Sequence, residues 1–105
     1  MLLVLTSLPD RKSAQKMAEA LVDKKLAACV SLISGVSSVY RWKGRREKAR
    51  ESILLIKTSR SAWKALQKFV LSKHPYELPE LIALPVSVAS KKYLDWVHVN
   101  FNLKF

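Results

Sequence analysis

Residues 40–57, YRWKGRREKARESILLIK, have the pattern of two β-strands joined by a charged turn. Residues of different character alternate before Gly44, and a continuous aliphatic run, Ile53 to Ile56, follows the charged segment. A run that is apolar at every position is typical of a strand buried on both faces. We therefore expect the second arm of this hairpin to be central in a sheet and the alternating first arm to lie nearer an edge.

The first arm of the hairpin is predicted to be long. It covers residues 29–43, and Gly35 is the expected position of a bulge or bend. Strands in globular proteins average about 5–6 residues, so this arm is too long for one small domain to cover. Because an exposed edge of that length favours pairing with another chain, we expect its far end to pair with a second copy, with Tyr40 and Trp42 as interface anchors.

The segments before the hairpin predict one strand and one helix. Residues 2–6 form a short aliphatic run that is typical of a central strand. From Asp10 onward the apolar residues recur at helical spacing, which predicts an amphipathic helix. The residues of its apolar stripe are Ala14, Met17, Ala18, Leu21, Val22 and Leu26.

The segments after the hairpin predict a second helix, a fourth strand and a short last helix. Ser59 or Ser61 is expected to cap the second helix, and Pro75 to stop it. Residues 80–86 have a strand pattern, but Pro85 cannot donate a ladder hydrogen bond and so places this strand at an edge. The order β-α-β-β-α-β predicts an α+β, ferredoxin-like fold in one domain, residues 1–105, with an extra C-terminal helix.

The chain is strongly basic. Lys and Arg outnumber Asp and Glu by 19 to 8, for a net charge of +11. Six basic residues and one acid lie in residues 41–50, which we call the basic tip. Such a charge run is usually a solvated loop, and contact with an anionic partner is the alternative.

The sequence also bears on the compartment. Cys29 is the single cysteine, so no internal disulfide can form, and a reducing compartment is favoured. No basic region precedes the short apolar run at the N-terminus, and no apolar run approaches the roughly 20 residues that span a bilayer. We expect a cytoplasmic protein without a membrane partner.

Five segments carry a resemblance to a known family. They are LVDKKLAACVSLI (21–33), YRWKG (40–44), IKT (56–58), HPYELPELIALPV (74–86) and YLDW (93–96). In this order and spacing they resemble the motifs of the CutA family, the divalent-cation tolerance proteins. The resemblance implies a ferredoxin-like subunit, a tight trimer built through the long hairpin, and a role in tolerance of copper and other divalent cations. It implies no settled enzymatic activity, and we expect none.

The resemblance also bears on metal ligands. In the best-known copper-binding member of the family, the ligands include a cysteine in the first strand and a His-His pair before Pro-Tyr. The matching positions here hold Leu5 and the pair Lys73-His74. Neither leucine nor a lysine ammonium offers a lone pair at neutral pH. The family tip is usually acidic, whereas here it is basic. We therefore expect at most weak binding of copper or another divalent cation, through Cys29 or His74, with Cu(I) preferring the Cys29 thiolate.

A small-ligand site is a further expectation. Aromatic and carboxylate side chains and the His74 imidazole could meet in a cleft between subunits, and the residues that we predict to bind a ligand there are Tyr40, Trp42, Glu51, Tyr76 and Glu80. The alternative is that the aromatics pack the trimer and the carboxylates pair with the abundant cations. Catalytic machinery is not predicted, because one Cys, two His and two Gly supply neither a nucleophile–base set nor a phosphate loop.

A basic ferredoxin-like domain could alternatively bind nucleic acid. RNA-recognition domains with the same strand order carry stacking aromatics on their third strand. The corresponding segment here, ESILLIKTS, has no aromatic residue. Nucleic acid is therefore not the expected partner.

Overall fold

Four strands and three helices make up residues 1–102, the part of the chain that this computed structural model describes, with side chains described through residue 100. The elements are β1 (Leu2–Leu8), α1 (Arg11–Asp23), β2 (Cys29–Trp42), β3 (Arg45–Thr58), α2 (Arg60–Lys73), β4 (Leu81–Pro85) and α3 (Lys91–Asn102). The order confirms the predicted α+β, ferredoxin-like succession with an additional C-terminal helix. No helix in the described residues is long and apolar enough to cross a membrane.

The strands form one antiparallel sheet in the order β2-β3-β1-β4. This order confirms that β3, which contains the aliphatic run, is central, and that β2 and the proline-containing β4 are edges. The pairing of β1 with β3 ends at Leu8 opposite Ser52. Beyond that point β2 and β3 continue alone as a two-stranded ribbon, residues 36–51, which we call the ribbon.

Two glycines shape the hairpin. The register of β2 against β3 shifts between Ile33 and Val36, and Gly35 lies inside that irregularity with φ of +72°. At the other end, Lys43 (φ +51°) and Gly44 (φ +79°) form a two-residue turn with both residues in the left-handed region. Such a turn matches the right-handed twist of the strands that it joins. The predicted bulge at Gly35 and turn at Gly44 are confirmed.

The core lies between one face of the sheet and the helices α1 and α2. Alternate residues of β1 and β3 are buried there with residues of α1 and α2, including Val4, Leu21, Leu54, Ile56 and Leu66. Ile53 and Leu55, which point to the opposite face, are only partly buried. The aliphatic run is therefore fully buried on one face only.

The first helix is shorter than its apolar pattern predicts. It ends at Asp23, and Lys25 adopts a left-handed conformation with φ of +59°. Leu26 therefore lies beyond the helix, although it still packs against the core, and Val22 is exposed. At the start of α1, Asp10 accepts a hydrogen bond from the Ser13 amide at 2.7 Å, which satisfies one free amide of the first turn.

Other boundaries also differ from the predictions. β1 extends to Leu8, and β3 begins at Arg45, eight residues before the aliphatic run. Ser59 occupies the cap position of α2, but its hydroxyl pairs with the Ser61 hydroxyl at 2.8 Å and makes no capping bond. In α3, Val97 is fully buried, whereas Tyr93 and Trp96 remain exposed.

Candidate functional site

A cleft of about 890 Å³ lies between the ribbon and the loop of residues 74–80, which joins α2 to β4. Its volume is in the range of small-molecule sites, roughly 300–1,000 Å³. All five side chains predicted to bind a ligand line this cleft, namely Tyr40, Trp42, Glu51, Tyr76 and Glu80, whereas His74, which was expected beside them, does not line it. The structure thus brings together residues that are up to 40 positions apart in the sequence.

The ribbon supplies one wall because alternate residues of a strand point to the same face. Tyr40 and Trp42 are two positions apart on β2, and Glu51 lies opposite Val36 on β3. The register shift at Gly35 separates this part of β2 from the lower part of the sheet. Tyr40 is 45% exposed, so its ring is available to a ligand or to another chain.

The loop is held against the ribbon by one side-chain hydrogen bond. The Tyr76 hydroxyl donates to Glu51 Oε2 at 2.6 Å, across 25 positions of sequence. Burial raises the pKa of Tyr76 well above its ordinary value, and the Glu51 carboxylate adds to that shift. The phenol therefore stays protonated and keeps donating to the carboxylate.

His74 fixes the other end of the loop. Its Nε2 lies 2.8 Å from the main-chain carbonyl oxygen of Ser7, and its Nδ1 accepts from the Tyr76 amide at 3.2 Å. Because Nδ1 accepts, the proton of the neutral ring is on Nε2 and is donated to Ser7. Burial lowers the pKa of His74, against the opposing effects of the Ser7 carbonyl and the Glu51 charge. The neutral ring is thus the form that this site favours.

A further hydrogen bond joins the end of β1 to the last residue of the loop. Thr6 on β1 donates its hydroxyl to the main-chain carbonyl oxygen of Glu80 at 2.6 Å. Neither Thr6 nor Ser7 was predicted to belong to the site. Their contacts use main-chain carbonyl groups, for which the sequence carries no signal.

The two predicted metal ligands lie apart in this chain. Cys29 is paired with Lys57, whereas Ser7, the partner of His74, is paired with Ile53. Four residues of β3 separate these positions, which corresponds to about 13 Å along the strand. No group of three or more His, Cys, Asp or Glu suited to a metal ion occurs among the residues that the structure describes.

Each of the two residues also has a local partner. Both ring nitrogens of His74 are engaged in the hydrogen bonds described above. Cys29 is partly buried beside Tyr93 of α3, where burial, followed by the nearby thiol, raises the pKa of the Tyr93 phenol. A metal ion at either residue would have to displace such a contact.

The Tyr76–Glu51 hydrogen bond should contribute measurably to stability. We expect Tyr76→Phe to lower the free energy of unfolding by about 1–2 kcal/mol, because a partly buried carboxylate loses its donor. Ser87→Ala is the control: it removes a hydroxyl from an exposed position between β4 and α3, so we expect a change below about 0.5 kcal/mol. Urea denaturation measures both changes. Equal effects of the two substitutions would contradict the assignment.

The His74 contacts predict a pH dependence. The pKa of His74 is lower in the folded chain than in the unfolded chain, so the unfolded state binds more protons as the pH falls below about 6.5. The free energy of unfolding should therefore decrease as the pH falls from that value through the folded pKa. Protonated Nδ1 would also point its N–H at the Tyr76 amide.

We expect His74→Gln to flatten this decrease below about pH 6.5, because the amide does not titrate. His98→Gln, at an exposed position of α3, should leave the decrease unchanged. Denaturation at a series of pH values measures the slopes. A wild-type slope in the His74 variant would show that another group causes the dependence.

Comparison with known proteins gives a consistent result. The family model described as CutA1 divalent ion tolerance protein matches residues 2–100. The chain is 41% identical to the divalent-cation tolerance protein CutA of Thermus thermophilus over 97 residues, 92% of this chain and 94% of that protein. It is 50% identical to mouse protein CutA over 90 residues, 86% of this chain, but it spans only about half (51%) of that relative.

Comparison with solved structures indicates the same family as the sequence comparison. The crystal structure of CutA from Xylella fastidiosa superposes with a TM-score of 0.92 at 40% identity, covering 96% of this chain and 97% of that one. Relatives are described as chloroplastic in Arabidopsis thaliana and as periplasmic in Archaeoglobus fulgidus. The name of the Thermus thermophilus relative and the description of the family model refer to tolerance of divalent cations, and the comparisons give no support to a nucleic-acid-binding domain. By sequence, fold and the spacing of its motifs, this chain belongs to the CutA1 family of divalent ion tolerance proteins.

Proposed function

We propose that this chain acts in divalent-cation tolerance as a homotrimer that binds a small ligand in the cleft, and that it binds copper or other divalent ions only weakly. The observation that best supports the ligand role is the convergence of five predicted residues on one cleft of about 890 Å³. Aromatic walls with a few convergent polar groups are typical of small-molecule sites. The names of the relatives support the tolerance role.

The trimer is supported by surface that the single chain leaves uncovered. β2 is an edge strand of 14 residues, and a free edge of that length favours pairing with another chain. On the face of the sheet away from α1 and α2, Ile33 is 48% exposed, and Ile82 and Leu84 are each 46% exposed. A neighbouring copy would cover both the edge and these apolar side chains, and would close the cleft between subunits.

Weak metal binding is supported by the geometry and the charge of the described residues. His74 already uses both ring nitrogens, and Cys29 lies at the other end of the sheet, so each would bind an ion without the other. The six cations of the basic tip repel a divalent ion from the ribbon. Cu(I) at the soft Cys29 thiolate is the most favourable pairing that these donors offer.

We also infer that the chain is not an enzyme and that it resides in the cytoplasm. The tolerance names of the relatives and the engagement of both His74 nitrogens support the first inference, because a general base needs a free nitrogen. The single cysteine supports the second, although chloroplastic and periplasmic relatives show that the compartment varies within the family.

Copper titration tests the metal part of this proposal. We expect isothermal calorimetry to give Cu(II) dissociation constants weaker than micromolar, and tighter binding of Cu(I) under reducing conditions. Cys29→Ser should weaken Cu(I) binding more than His74→Ala does, because the thiolate is the softer ligand. Submicromolar, stoichiometric Cu(II) binding that survives both substitutions would place the metal site elsewhere.

Thermal unfolding with a library of small metabolites tests the ligand part. Compounds that bind the cleft raise the midpoint of unfolding, because they bind the folded state alone. We expect this rise to shrink in Glu80→Gln, which alters an exposed carboxylate of the cleft, and to persist in Glu19→Gln, which alters one on α1. Compounds that stabilise both variants equally would bind outside the cleft.

A further inference from the structure

The two faces of the ribbon differ sharply in charge. Directly paired residues of two strands share a face, and the face alternates along each strand. One face, which we call the basic face, carries the pairs Ser37–Arg50, Val39–Lys48 and Arg41–Arg46. The opposite face carries Val36–Glu51, Ser38–Ala49, Tyr40–Glu47 and Trp42–Arg45, and so holds both acids and both aromatics of the ribbon.

The basic face therefore has four cations and no acid. Arg41, Arg46, Lys48 and Arg50 are all exposed, and no carboxylate among the described side chains lies within ion-pair distance of them. Arg41 stands directly opposite Arg46, and like charges in that position destabilise a strand pair, with Cβ atoms only about 5 Å apart. Arg41 Nη1 donates to the main-chain carbonyl oxygen of Gly44 at 3.5 Å, but no carboxylate among the described side chains offsets the repulsion.

The shape of the basic face narrows the choice of partner. From Arg46 to Arg50 it extends about 14 Å along β3, and within one chain it is two strands, about 5 Å, across. A neighbouring copy that pairs with β2 would leave these four cations in the same line. A narrow line of charge matches a linear anion better than the plane of a bilayer. The face has no aromatic side chain on which bases could stack, which disfavours single-stranded nucleic acid.

We propose that the basic face binds a linear polyphosphate anion of the inorganic polyphosphate class. The guanidinium groups of Arg41 and Arg46 bind neighbouring phosphates with paired N–H donors. Lys48 and Arg50 contact further phosphates along the strand. Binding neutralises the cross-strand repulsion and so stabilises the ribbon. Tyr40, Trp42 and Glu51 point to the opposite face of the ribbon, but Arg41 and Arg50 also line the cleft, so the basic face and the cleft adjoin. The anion needs no ligand in the cleft in order to bind, because all four cations of the basic face are exposed.

Calorimetric titration of the full chain with short-chain inorganic polyphosphate tests the proposal. We expect binding at low salt that weakens markedly at about 0.15 M salt, because screening shortens the reach of exposed charges to about 8 Å. The double variant Arg41→Gln/Arg46→Gln should bind at least about tenfold more weakly. The matched control Lys64→Gln/Lys68→Gln, which removes the same charge from exposed positions of α2, should lose less than about threefold.

A second variant separates charge from geometry. Arg41→Lys/Arg46→Lys keeps the charge but removes the planar donors, so we expect an intermediate loss. Both double variants should unfold at denaturant concentrations no lower than the wild type, because they do not add repulsion. Equal losses in the α2 control and the arginine variant would overturn the proposal. Tighter binding of duplex DNA or of anionic vesicles than of polyphosphate, with the same dependence on Arg41 and Arg46, would overturn the choice of occupant.

Discussion

The central strand β3 extends beyond the end of β1, its hydrogen-bonded neighbour on one side. β1 leaves β3 at Ser52, yet β3 and β2 continue to the turn at Gly44. Residues 45–51 therefore have a hydrogen-bonding neighbour in β2 alone, and both edges of the ribbon are open in the single chain. Isolated two-stranded ribbons are marginally stable in water. The rest of the molecule is arranged around that constraint.

Two features support the ribbon from within the chain. The 74–80 loop turns towards it, and Tyr76 donates to Glu51 just beyond the end of β1. His74 holds the root of that loop to the main chain of Ser7, so the loop occupies the place that a longer β1 would have taken. The cleft is a consequence of this arrangement, because a loop crossing beside a ribbon leaves space that a third paired strand would fill. Tyr76 and Glu51 therefore both hold the loop against the ribbon and line the cleft.

Much of the fold could be predicted from the sequence because it rests on buried periodic patterns. The alternation of strands and helices, the central place of the aliphatic run and the edge position of the proline-containing strand all follow from such patterns. The start of β3 at Arg45 could not be predicted, because a solvent-exposed ribbon has no buried face to impose a hydrophobic pattern. The end of α1 was predicted too late in the chain, because Leu26 keeps the helical spacing and packs on the core although it lies outside the helix. The Tyr76–Glu51 hydrogen bond and the two hydrogen bonds of His74 partly use main-chain groups, and two of the three join distant segments. No local sequence pattern predicts such contacts.

In the proposed homotrimer, the outer edge of the ribbon is covered by a second copy of the chain. Hydrogen exchange followed by NMR tests it residue by residue, at protein concentrations where the assembly is intact. In residues 36–42 of β2, alternate amides point towards β3 and the others point outward. The account predicts slow exchange at both sets, with the outward set becoming fast on dilution below the concentration at which the assembly dissociates. Fast exchange of the outward amides at every concentration, beside protected inward amides, would contradict it.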